Sequence, residues 1–377
     1  MDKLKPTKVI LVSRCAWTLF NFRAGLIRAL KKRGDVVLGG GAGGDGFEGK
    51  LKHLGIAFVP LPVSLRPIDP WSDWLLLWTL FRWYRRERPD VVHHFTIRPV
   101  VYGSVAAWLA GVPKIVNSIE GLGTVFGDGQ KRWLRAVVEL QYRLAMSLSH
   151  LTFFLNRDDY DHFIARGLIK PEKAIVVSGP GVNCEVFKPH SAVETSPNGS
   201  VTFLLSARLL WEKGVYDFVQ AARLVKQTFP TTQFQLLGMR DERNPNVVPQ
   251  EVLDQWEAEN IITWLGEVSD VRPIVAKADV VVLPTYYREG MPRALLEASA
   301  MGKPIIATDT VGCRDVVEQE KSGILVPVKN PQALASAMIR MIESPGLRSS
   351  MGKAGRERVV KKFNEQLVID DILECYD

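Results

Sequence analysis

Two glutamates eight positions apart, Glu289 and Glu297, form the clearest chemical pattern in this chain. The first lies in a Gly/Pro turn, and the second lies one or two turns into the helix predicted to follow it. In that arrangement a helix N-terminus can face an anion while both carboxylates point into one cleft. The spacing alone would occur about once by chance in a chain of this length. A buried strand before the pair, and a helix and strand after it, make the unit a candidate binding site.

Arg208 and Lys213 belong to a second segment whose residue types could do chemistry. They lie in a loop between a predicted strand, 201–206, and a predicted helix, 215–229. Arginine offers a planar fork of donors and lysine a point charge, so together they can hold a diphosphate. A solvated basic loop is the plainer interpretation of the two residues alone. The carboxylate pair further along the chain favours the binding interpretation.

A third candidate segment, Trp264 to Val268, ends another predicted strand. Gly266 permits close approach of the backbone, so a nucleotide base could lie against this edge and bond to main-chain groups. Gly238, which follows the predicted strand 233–237, joins the binding candidates. An ordinary turn glycine is the alternative interpretation of Gly266.

The elements that must position these residues alternate between strand and helix along the whole chain. This alternation predicts parallel sheets that are covered by helices on both faces. The predicted strands are 8–12, 35–38, 90–94, 114–117, 174–177, 201–206, 233–237, 261–265, 280–283 and 305–308, and the predicted helices are 22–32, 103–110, 215–229, 271–277, 293–301, 331–343 and 346–362.

The fold class is therefore α/β, with two tandem doubly wound Rossmann-like domains. We place the first domain at 1–185, a polar linker at 186–200 and the second domain at 201–362. The remaining segment, 363–377, is a helix that can return to the first domain. Because ligands of such sheets bind at the carboxyl ends of the strands, we expect the two domains to face each other across a cleft.

Composition places the chain among soluble globular proteins, with 46% apolar and 24% charged residues. Four scattered cysteines indicate a reducing compartment, with no disulfide framework and no zinc site. The N-terminus lacks the apolar core of a signal peptide. Residues 1–190 hold 27 Lys and Arg against 16 Asp and Glu, whereas the remainder holds 21 against 25. This basic first half suggests an anionic surface or substrate, and no nucleic-acid-binding module accompanies it.

Residues 201–363 resemble the nucleotide-sugar domain of family 4 glycosyltransferases, which have the GT-B fold. The resemblance rests on an ordered set of motifs: Gly181-Val182-Asn183 with Phe187-Lys188-Pro189, Arg208 with Lys213-Gly214, Leu265-Gly266, Glu289-Gly290-Met291-Pro292 with Glu297-Ala298, the run Gly302 to Thr308, and the run Ser322 to Val326.

The resemblance implies roles for the donor side. Arg208 and Lys213 would clamp the donor diphosphate, and the N-terminus of the helix from Arg293 would point at phosphate. Glu289 would hold the sugar hydroxyls, and Glu297 the ribose hydroxyls. The remaining donor-binding candidates are Gly290, Met291, Pro292 and Leu295. The resemblance also implies retention of anomeric configuration, and we expect no metal or other cofactor beyond the nucleotide sugar, for which a UDP-linked hexose or N-acetylhexosamine is our choice.

The first half resembles members of the same family that extend lipid-linked oligosaccharides, through the segments 20–23, 92–96 and 117–123. Many members have a His where this chain has Glu120, which could substitute as a carboxylate near the anomeric carbon. His93 and His94 are the nearest alternatives, although a His at a strand end is more often structural. The acceptor-side candidates are Arg14, Asn21, Arg23, His93 and Arg98.

Residues 70–88 form a predicted helix that contains four tryptophans and ends in basic residues. The run is too short and too charged to span a bilayer. It could lie in a membrane interface, with Trp at headgroup depth and Arg on lipid phosphate. It could equally pack in the core of the first domain. The basic first half favours peripheral association with the cytoplasmic face of the membrane.

Two other functions stay open on the sequence. Gly39 to Gly44 contains Gly-x-Gly-x-x-Gly, the fingerprint of an NAD-dependent oxidoreductase. It follows the second strand and lacks the expected acidic partner, so a flexible loop that closes on the acceptor is the preferred interpretation. The chain could also be a non-catalytic nucleotide-sugar-binding scaffold.

Asp159-Tyr160-Asp161 is a literal Asp-x-Asp, a pattern used by metal-dependent glycosyltransferases. Acidic residues are also favoured in the first turn of a helix, because they face its positive dipole end. We interpret the pattern as the start of a helix from 156, without a metal.

Overall fold

The computed structural model describes residues 6–64, 69–122, 126, 132–189, 200–242 and 244–376. The chain divides into two compact units, which we call unit 1 (Met1–Pro180 with Gln366–Asp377) and unit 2 (Gly181–Glu365). The units part at 180 and 365, close to the limits of 185 and 362 taken from the sequence. Most of the proposed linker, 190–199, lies outside the described residues.

Unit 1 is built on a seven-stranded parallel sheet of order β3-β2-β1-β4-β5-β6-β7. Its strands are Lys8–Cys15 (β1), Val36–Ala42 (β2), Ala57–Pro60 (β3), Val91–Phe95 (β4), Lys114–Ile119 (β5), Leu151–Phe154 (β6) and Ala174–Val176 (β7). Its helices are Ala16–Arg33 (α1), Glu48–His53 (α2), Pro70–Glu87 (α3), Ile97–Ala110 (α4), Arg132–Leu148 (α5) and Arg157–Ala165 (α6).

Unit 2 is built on a six-stranded parallel sheet of order β10-β9-β8-β11-β12-β13. Its strands are Thr202–Ser206 (β8), Gln233–Leu237 (β9), Thr263–Trp264 (β10), Val280–Leu283 (β11), Ile305–Thr308 (β12) and Gly323–Val326 (β13). Its helices are Val215–Thr228 (α7), Gln250–Ala258 (α8), Arg272–Lys277 (α9), Arg293–Ala300 (α10), Cys313–Val316 (α11), Pro331–Glu343 (α12) and Pro345–Lys362 (α13). A last helix, Glu365–Glu374 (α14), begins where unit 2 ends and packs in unit 1.

Helices cover both faces of each sheet, which confirms the α/β class with two Rossmann-like domains. In unit 1, α1 and α14 pack on one face, while α3, α4, α5 and α6 pack on the other. Successive side chains of a strand point to opposite faces. Val91 and Phe95 of β4 therefore join the α1 side, and Val92 between them joins the α3 side.

The interpretation of Gly39 to Gly44 as a flexible loop is wrong for Gly39 to Gly41, because β2 continues through them to Ala42, and Gly43 and Gly44 follow the strand. A Cβ atom on Gly40 would lie 2.7 Å from the Trp83 ring, and one on Gly41 would lie 2.7 Å from the backbone oxygen of Ser13. Close packing therefore accounts for two of these glycines. The same extension removes the strand-then-loop geometry that a dinucleotide fingerprint requires.

Helix α6 begins directly after Asn156, as the sequence indicates. The Asn156 side chain accepts a hydrogen bond from the backbone N–H of Asp159 at 2.7 Å, the usual N-cap arrangement. The Asn156 amide also donates to the Asp159 carboxylate at 3.0 Å. Asp159 is thus a buried part of a helix start.

Candidate functional site

The loops that follow β8 and β11 are bound to each other at the carboxyl edge of the unit 2 sheet. The backbone oxygen of Glu212 accepts hydrogen bonds from the Thr285 hydroxyl at 2.9 Å and from the backbone N–H groups of Tyr286 and Tyr287 at 3.0 and 3.2 Å. Gly214 has φ +76°, and a Cβ there would lie 2.0 Å from the backbone oxygen of Pro284. These contacts fix the two loops relative to one another.

Lys213 and Glu289 form an ion pair between these two loops. Their side chains are only 11% and 13% exposed, so solvent screens the attraction less than at a surface. The Lys213 ammonium also lies 4.8 Å from the centroid of the Tyr287 ring. The Thr285 hydroxyl is 3.4 Å from a carboxylate oxygen of Glu289. The pair is therefore held in a defined place at the end of β11.

Helix α10 begins immediately after the Glu289 turn, and no side chain caps its N-terminus. The turn residues Gly290, Met291 and Pro292 are buried, as is Leu295 on the first turn of the helix. A Cβ on Gly312 would lie 2.9 Å from the backbone oxygen of Gly290, so Gly312 packs closely against this turn. Backbone N–H groups at an uncapped helix N-terminus are suited to binding an anion.

Glu297 lies on the second turn of α10 and bonds to Arg293 at 3.0 Å, one turn earlier. Burial raises the pKa of the Glu297 carboxyl, while the charge of Arg293 and the bond from it act in the opposite direction. The carboxylate is thus oriented by its own helix and keeps a partly accessible surface.

Arg208 lies two residues after β8 and is half-buried. Within the described part of the chain its guanidinium forms no ion pair, in contrast to Lys213. An arginine in this position retains its donors for a ligand.

Trp264 and Gly266 border a cavity of about 390 Å³ at the same edge of the sheet. The Trp264 indole N–H donates to the backbone oxygen of Gly238 at 3.1 Å, and the Gly238 N–H donates to the oxygen of Gly266 at 2.9 Å. The cavity is lined by Met239, Arg240, Glu242, Gln250, Trp264, Gly266 and Glu267. Its volume lies within the range of small-molecule sites.

In unit 1, Glu120 forms an ion pair with Arg23. The Arg23 guanidinium is buried and lies 4.2 Å from the centroid of the Phe95 ring, at the end of β4. The Glu120 side chain keeps 20% of its surface exposed. The pair therefore presents a carboxylate at the carboxyl edge of β5, and Arg23 is its counterion.

His93 is not available to an acceptor, and we withdraw it from the acceptor-side candidates. It is completely buried, and its ring nitrogens lie 2.6 Å from the Tyr376 hydroxyl and 2.7 Å from the Ser118 hydroxyl. Burial, followed by the charge of Arg23, lowers the pKa of His93 well below its ordinary value. His93 therefore binds Tyr376, which follows α14, to the sheet of unit 1.

His94 points to the opposite face of the sheet and is also buried in a hydrogen-bonded network. Its ring bonds to the Tyr84 hydroxyl at 2.9 Å and to the Asn117 side-chain oxygen at 3.0 Å. Burial lowers its pKa to about 4, against a smaller opposite effect of the Asn117 bond. Both histidines thus have the structural role that strand-end histidines usually have.

The other acceptor-side candidates lie in different surroundings. Arg98, near the start of α4, pairs with Asp73 at 2.7 Å and donates to the backbone oxygen of Ser64 at 2.6 Å. The Asn21 amide donates to the backbone oxygen of Trp17 on α1. Arg14 is half-buried near the end of β1.

Helix α3 has one buried face and one exposed face, so only part of the tryptophan-rich segment packs in the core. Its inner face, with Trp83 and Tyr84, packs in the core, whereas Trp71, Trp74 and Trp78 are exposed. Among the described residues, no helix has the length and hydropathy needed to cross a bilayer.

Comparison with known protein families accounts for nearly the whole chain. Residues 186–358 match the family model of glycosyl transferases group 1, and residues 22–180 match that of the glycosyl transferase 4-like domain. The chain belongs to the family 4 glycosyltransferases.

Two relatives of this glycosyltransferase act on lipid-linked sugars according to their names. The N,N'-diacetylbacillosaminyl-diphospho-undecaprenol alpha-1,3-N-acetylgalactosaminyltransferase of Campylobacter jejuni is 26% identical over 385 residues, which cover 98% of each chain. The UDP-Gal:alpha-D-GlcNAc-diphosphoundecaprenol alpha-1,3-galactosyltransferase of Escherichia coli is 26% identical over 325 residues, which cover 84% of this chain and 82% of the relative.

Solved structures share the fold over the full length. A glycosyltransferase from Rickettsia africae superimposes with a TM-score of 0.79 at 20% identity, covering 99% of this chain and 98% of the other. Anabaena HepE in complex with UDP superimposes with a TM-score of 0.76 at 18% identity, covering 98% of this chain and 99% of the other. At these identities the likeness shows the fold alone.

Sequence reasoning missed Thr285, Tyr287 and Gly312 in this glycosyltransferase. Each contacts the Lys213–Glu289 pair or the turn beside it. Thr285 and Tyr287 lie within four positions of Glu289, so nearness to the motif was the available signal for these two. For Gly312 no local signal exists, because its contact with Gly290 is made across the fold.

Proposed function

We propose that this glycosyltransferase transfers a hexosyl or N-acetylhexosaminyl group from a UDP-sugar to a polyprenyl-diphosphate-linked saccharide, with retention of anomeric configuration. The observation that carries the proposal is the Lys213–Glu289 pair, held at the carboxyl edge of the unit 2 sheet beside the N-terminus of α10. The names of the Campylobacter jejuni and Escherichia coli relatives support a lipid diphosphate acceptor.

On the donor side, breaking the sugar–phosphate bond builds negative charge on the leaving diphosphate. Lys213, Arg208 and the N–H groups that begin α10 would stabilise that charge, and electrostatic stabilisation of this kind is commonly the largest single contribution to catalysis. Lys213 would exchange part of its contact with Glu289 for the diphosphate. Glu289 would then be free to accept hydrogen bonds from the sugar hydroxyls.

The nucleoside would lie along the rest of the same edge. Glu297, oriented by Arg293, would accept hydrogen bonds from the ribose hydroxyls. The cavity beside Trp264 and Gly266 has the size to receive the base, and its backbone groups can pair with the base edge. Gly238 is the residue that links this cavity to the loop after β8, since a Cβ there would lie 1.9 Å from the Ala207 backbone oxygen.

On the acceptor side, Glu120 would act as a carboxylate that binds a sugar hydroxyl, with Arg23 as its counterion. The ion pair with Arg23 fixes the Glu120 carboxylate in place, and 20% of the side chain stays exposed for such a contact. We keep Arg14, Asn21 and Arg98 as candidates for the acceptor diphosphate. Because this acceptor would be membrane-bound, we place the enzyme at the cytoplasmic face of the membrane, peripherally associated.

The deciding experiment offers radiolabelled UDP-sugars, one at a time, together with an undecaprenyl-diphosphate-linked monosaccharide. We expect one UDP-sugar to label the lipid, and NMR of the product to give the same anomeric configuration as the donor. A product of inverted configuration would contradict the retaining mechanism. Binding of UDP with no turnover of any donor would instead favour a non-catalytic scaffold.

A further inference from the structure

Helices α3, α4 and α5 lie side by side on one face of the unit 1 sheet, with α4 between the other two. Polar bonds join the three helices on their inner side. The Tyr102 hydroxyl of α4 donates to Asp73 of α3 at 3.0 Å, and the Gln141 amide of α5 lies 3.4 Å from the same hydroxyl. These contacts join the three helices into one layer.

The outer surface of α5 is apolar, although it faces solvent. Trp133, Val137, Leu140 and Leu144 are between 45% and 64% exposed. Their spacing of four, three and four residues places them along one side of the helix. The inner side is apolar too, since Val138, Tyr142, Ala145 and Met146 are buried. In an ordinary surface helix the apolar residues form one stripe that faces the core, and the exposed residues are polar.

Helix α3 adds aromatic residues to the same layer. Trp71, the most exposed tryptophan, is 75% exposed, and Trp74 and Trp78 are exposed as well. The two ends of α4 contribute Ile97, Trp108 and Leu109. Of the ten tryptophans in the chain, six are exposed: five belong to α3, α4 and α5, and the sixth, Trp17, lies in α1 on the other face of the sheet. Such a concentration of apolar residues on one side of a domain indicates a binding surface.

The charges on this surface have one sign. Every exposed charged side chain of α3 and α5 is an arginine: Arg82, Arg85, Arg86, Arg132 and Arg143. The acidic residues of these helices are less exposed and paired, Asp73 with Arg98, Glu87 with Lys8 and Glu139 with Arg166. The surface therefore complements a negatively charged partner.

We propose that the outer face of α5, together with Trp71, Trp74 and Trp78 of α3, docks on the surface of an anionic phospholipid bilayer. Tryptophan is favoured at headgroup depth, aliphatic side chains insert below it, and arginine binds lipid phosphate. A two-fold contact with a second copy would instead bring arginines against arginines, with no exposed acid on these helices to pair with them. The proposal adds the outer face of α5 to the exposed tryptophans of α3 as part of one docking surface. It rests on the proposed function only in that the acceptor is lipid-linked.

The test is flotation of the full-length protein with vesicles of phosphatidylcholine containing phosphatidylglycerol. We expect the triple variant Trp133→Ser, Leu140→Ser, Leu144→Ser to partition at least about tenfold less than the wild type, because three apolar side chains no longer insert. We expect Trp71→Ser with Trp74→Ser to weaken partitioning as well. The matched control is Val328→Ser with Val360→Ser in unit 2, two exposed apolar residues that should change nothing.

Three outcomes would overturn the proposal. Wild-type partitioning of the α5 variant would show that α5 does not touch the bilayer. Binding that is unchanged when phosphatidylglycerol is left out of the vesicles would show that the arginines do not contribute to docking. A wild-type dimer that the α5 substitutions convert to a monomer, without loss of flotation, would make a second copy the occupant. If thermal unfolding shows that the triple variant is not properly folded, the single variant Leu144→Asp takes its place in the same flotation experiment.

Transfer to a short-chain, water-soluble diphosphate acceptor separates this proposal from the proposed function. The α5 variant should retain wild-type transfer to the soluble acceptor and lose transfer to the vesicle-bound one. Flotation as expected, with no transfer to either acceptor by the wild type, would leave the docking surface in place and reject the proposed function. Normal transfer to both acceptors by a variant that no longer floats would reject the link between docking and substrate access.

Discussion

Units 1 and 2 share one architecture, a parallel sheet between layers of helices, but their surfaces differ sharply. Unit 1 carries 26 Lys and Arg against 19 Asp and Glu, whereas unit 2 carries 22 of each. All exposed tryptophans belong to unit 1, while the three tryptophans of unit 2 are packed against their neighbours. Two domains with the same architecture therefore present different charge and apolar character at their surfaces, because the fold fixes where the loops lie but not which side chains are exposed.

The polar residues inside the two units differ in the same way. Unit 2 keeps an ion pair, Lys213–Glu289, close to the surface at the edge of its sheet. Unit 1 also has an ion pair at its sheet edge, Arg23–Glu120, but in addition it buries neutral hydrogen-bonded groups, among them His93 and His94, in the middle of its sheet. The first arrangement suits a charged ligand, and the second stabilises the domain. Three predictions test this contrast.

The largest effect should follow from Lys213→Ala in unit 2. The substitution removes a charge that would stabilise the leaving diphosphate and leaves Glu289 without its partner, so we expect kcat/KM for transfer to fall at least about a hundredfold. Glu289→Gln should cause a loss of similar size. Steady-state transfer from the UDP-sugar is the measurement.

Lys277→Ala is the matched control, because Lys277 is an exposed lysine at the end of α9. It should leave both transfer and stability unchanged. Thermal unfolding of each variant separates loss of catalysis from loss of fold. Near-wild-type transfer by Lys213→Ala, with the fold intact, would show that the Lys213–Glu289 pair is not part of the active site. The two units would then not differ in this respect.

A second prediction concerns acid stability, which should fall in unit 1 before unit 2. His94 is neutral in the fold because burial lowers its pKa from 6.5 to about 4, whereas in the unfolded chain it takes up a proton near its ordinary pKa. The contribution of neutral His94 to the free energy of unfolding is thus fully present above pH 6.5 and is lost as the pH falls through about 4. The loss reaches about 3 kcal/mol at most.

Hydrogen exchange, followed by mass spectrometry at pH 7.5, 6, 5 and 4.5, measures the local stability of β4 and of β11 separately. Protection of β4 should fall more steeply than that of β11. His94→Asn should lower stability at neutral pH and flatten the pH dependence of β4. Equal slopes for the variant and the wild type would show that other groups govern the acid response.

The smallest effect of the three concerns the Arg23–Glu120 pair. Either substitution, Arg23→Met or Glu120→Gln, leaves a charge without its partner, so the double variant should be more stable than the sum of the single losses predicts. We expect a coupling energy of about 1–2 kcal/mol by urea unfolding. If Glu120 binds a sugar hydroxyl, Glu120→Gln should in addition raise KM for the acceptor.

The same cycle with Arg33→Met and Asp35→Asn is the control, because that pair joins the end of α1 to the start of β2, at the opposite edge of the sheet. It should show coupling in stability and no change in KM. An unchanged acceptor KM in Glu120→Gln would assign the Arg23–Glu120 pair to stability alone.

Much of the fold could be predicted from the sequence, because short apolar runs alternate with helical periodicity throughout. The strands 233–237, 280–283 and 305–308 have the bounds taken from the sequence. The prediction was wrong at Gly39 to Gly41, where a strand continues through glycines that usually end one. It also gave no element for the segment of α5, although that helix is strongly amphipathic.

The alternation of strand and helix, the family motifs and the residue types at the carboxyl edge of the unit 2 sheet can be read from the sequence alone. Only the tertiary structure decided which polar groups meet: Lys213 with Glu289 across 76 positions, Arg23 with Glu120 across 97, and His93 with Tyr376 across 283. It also decided that Trp83 is buried while Trp71 is exposed on the same helix. The physical reason is that local propensity and periodicity act over a few residues, whereas ion pairing, burial and exposure depend on distances that chain position does not give.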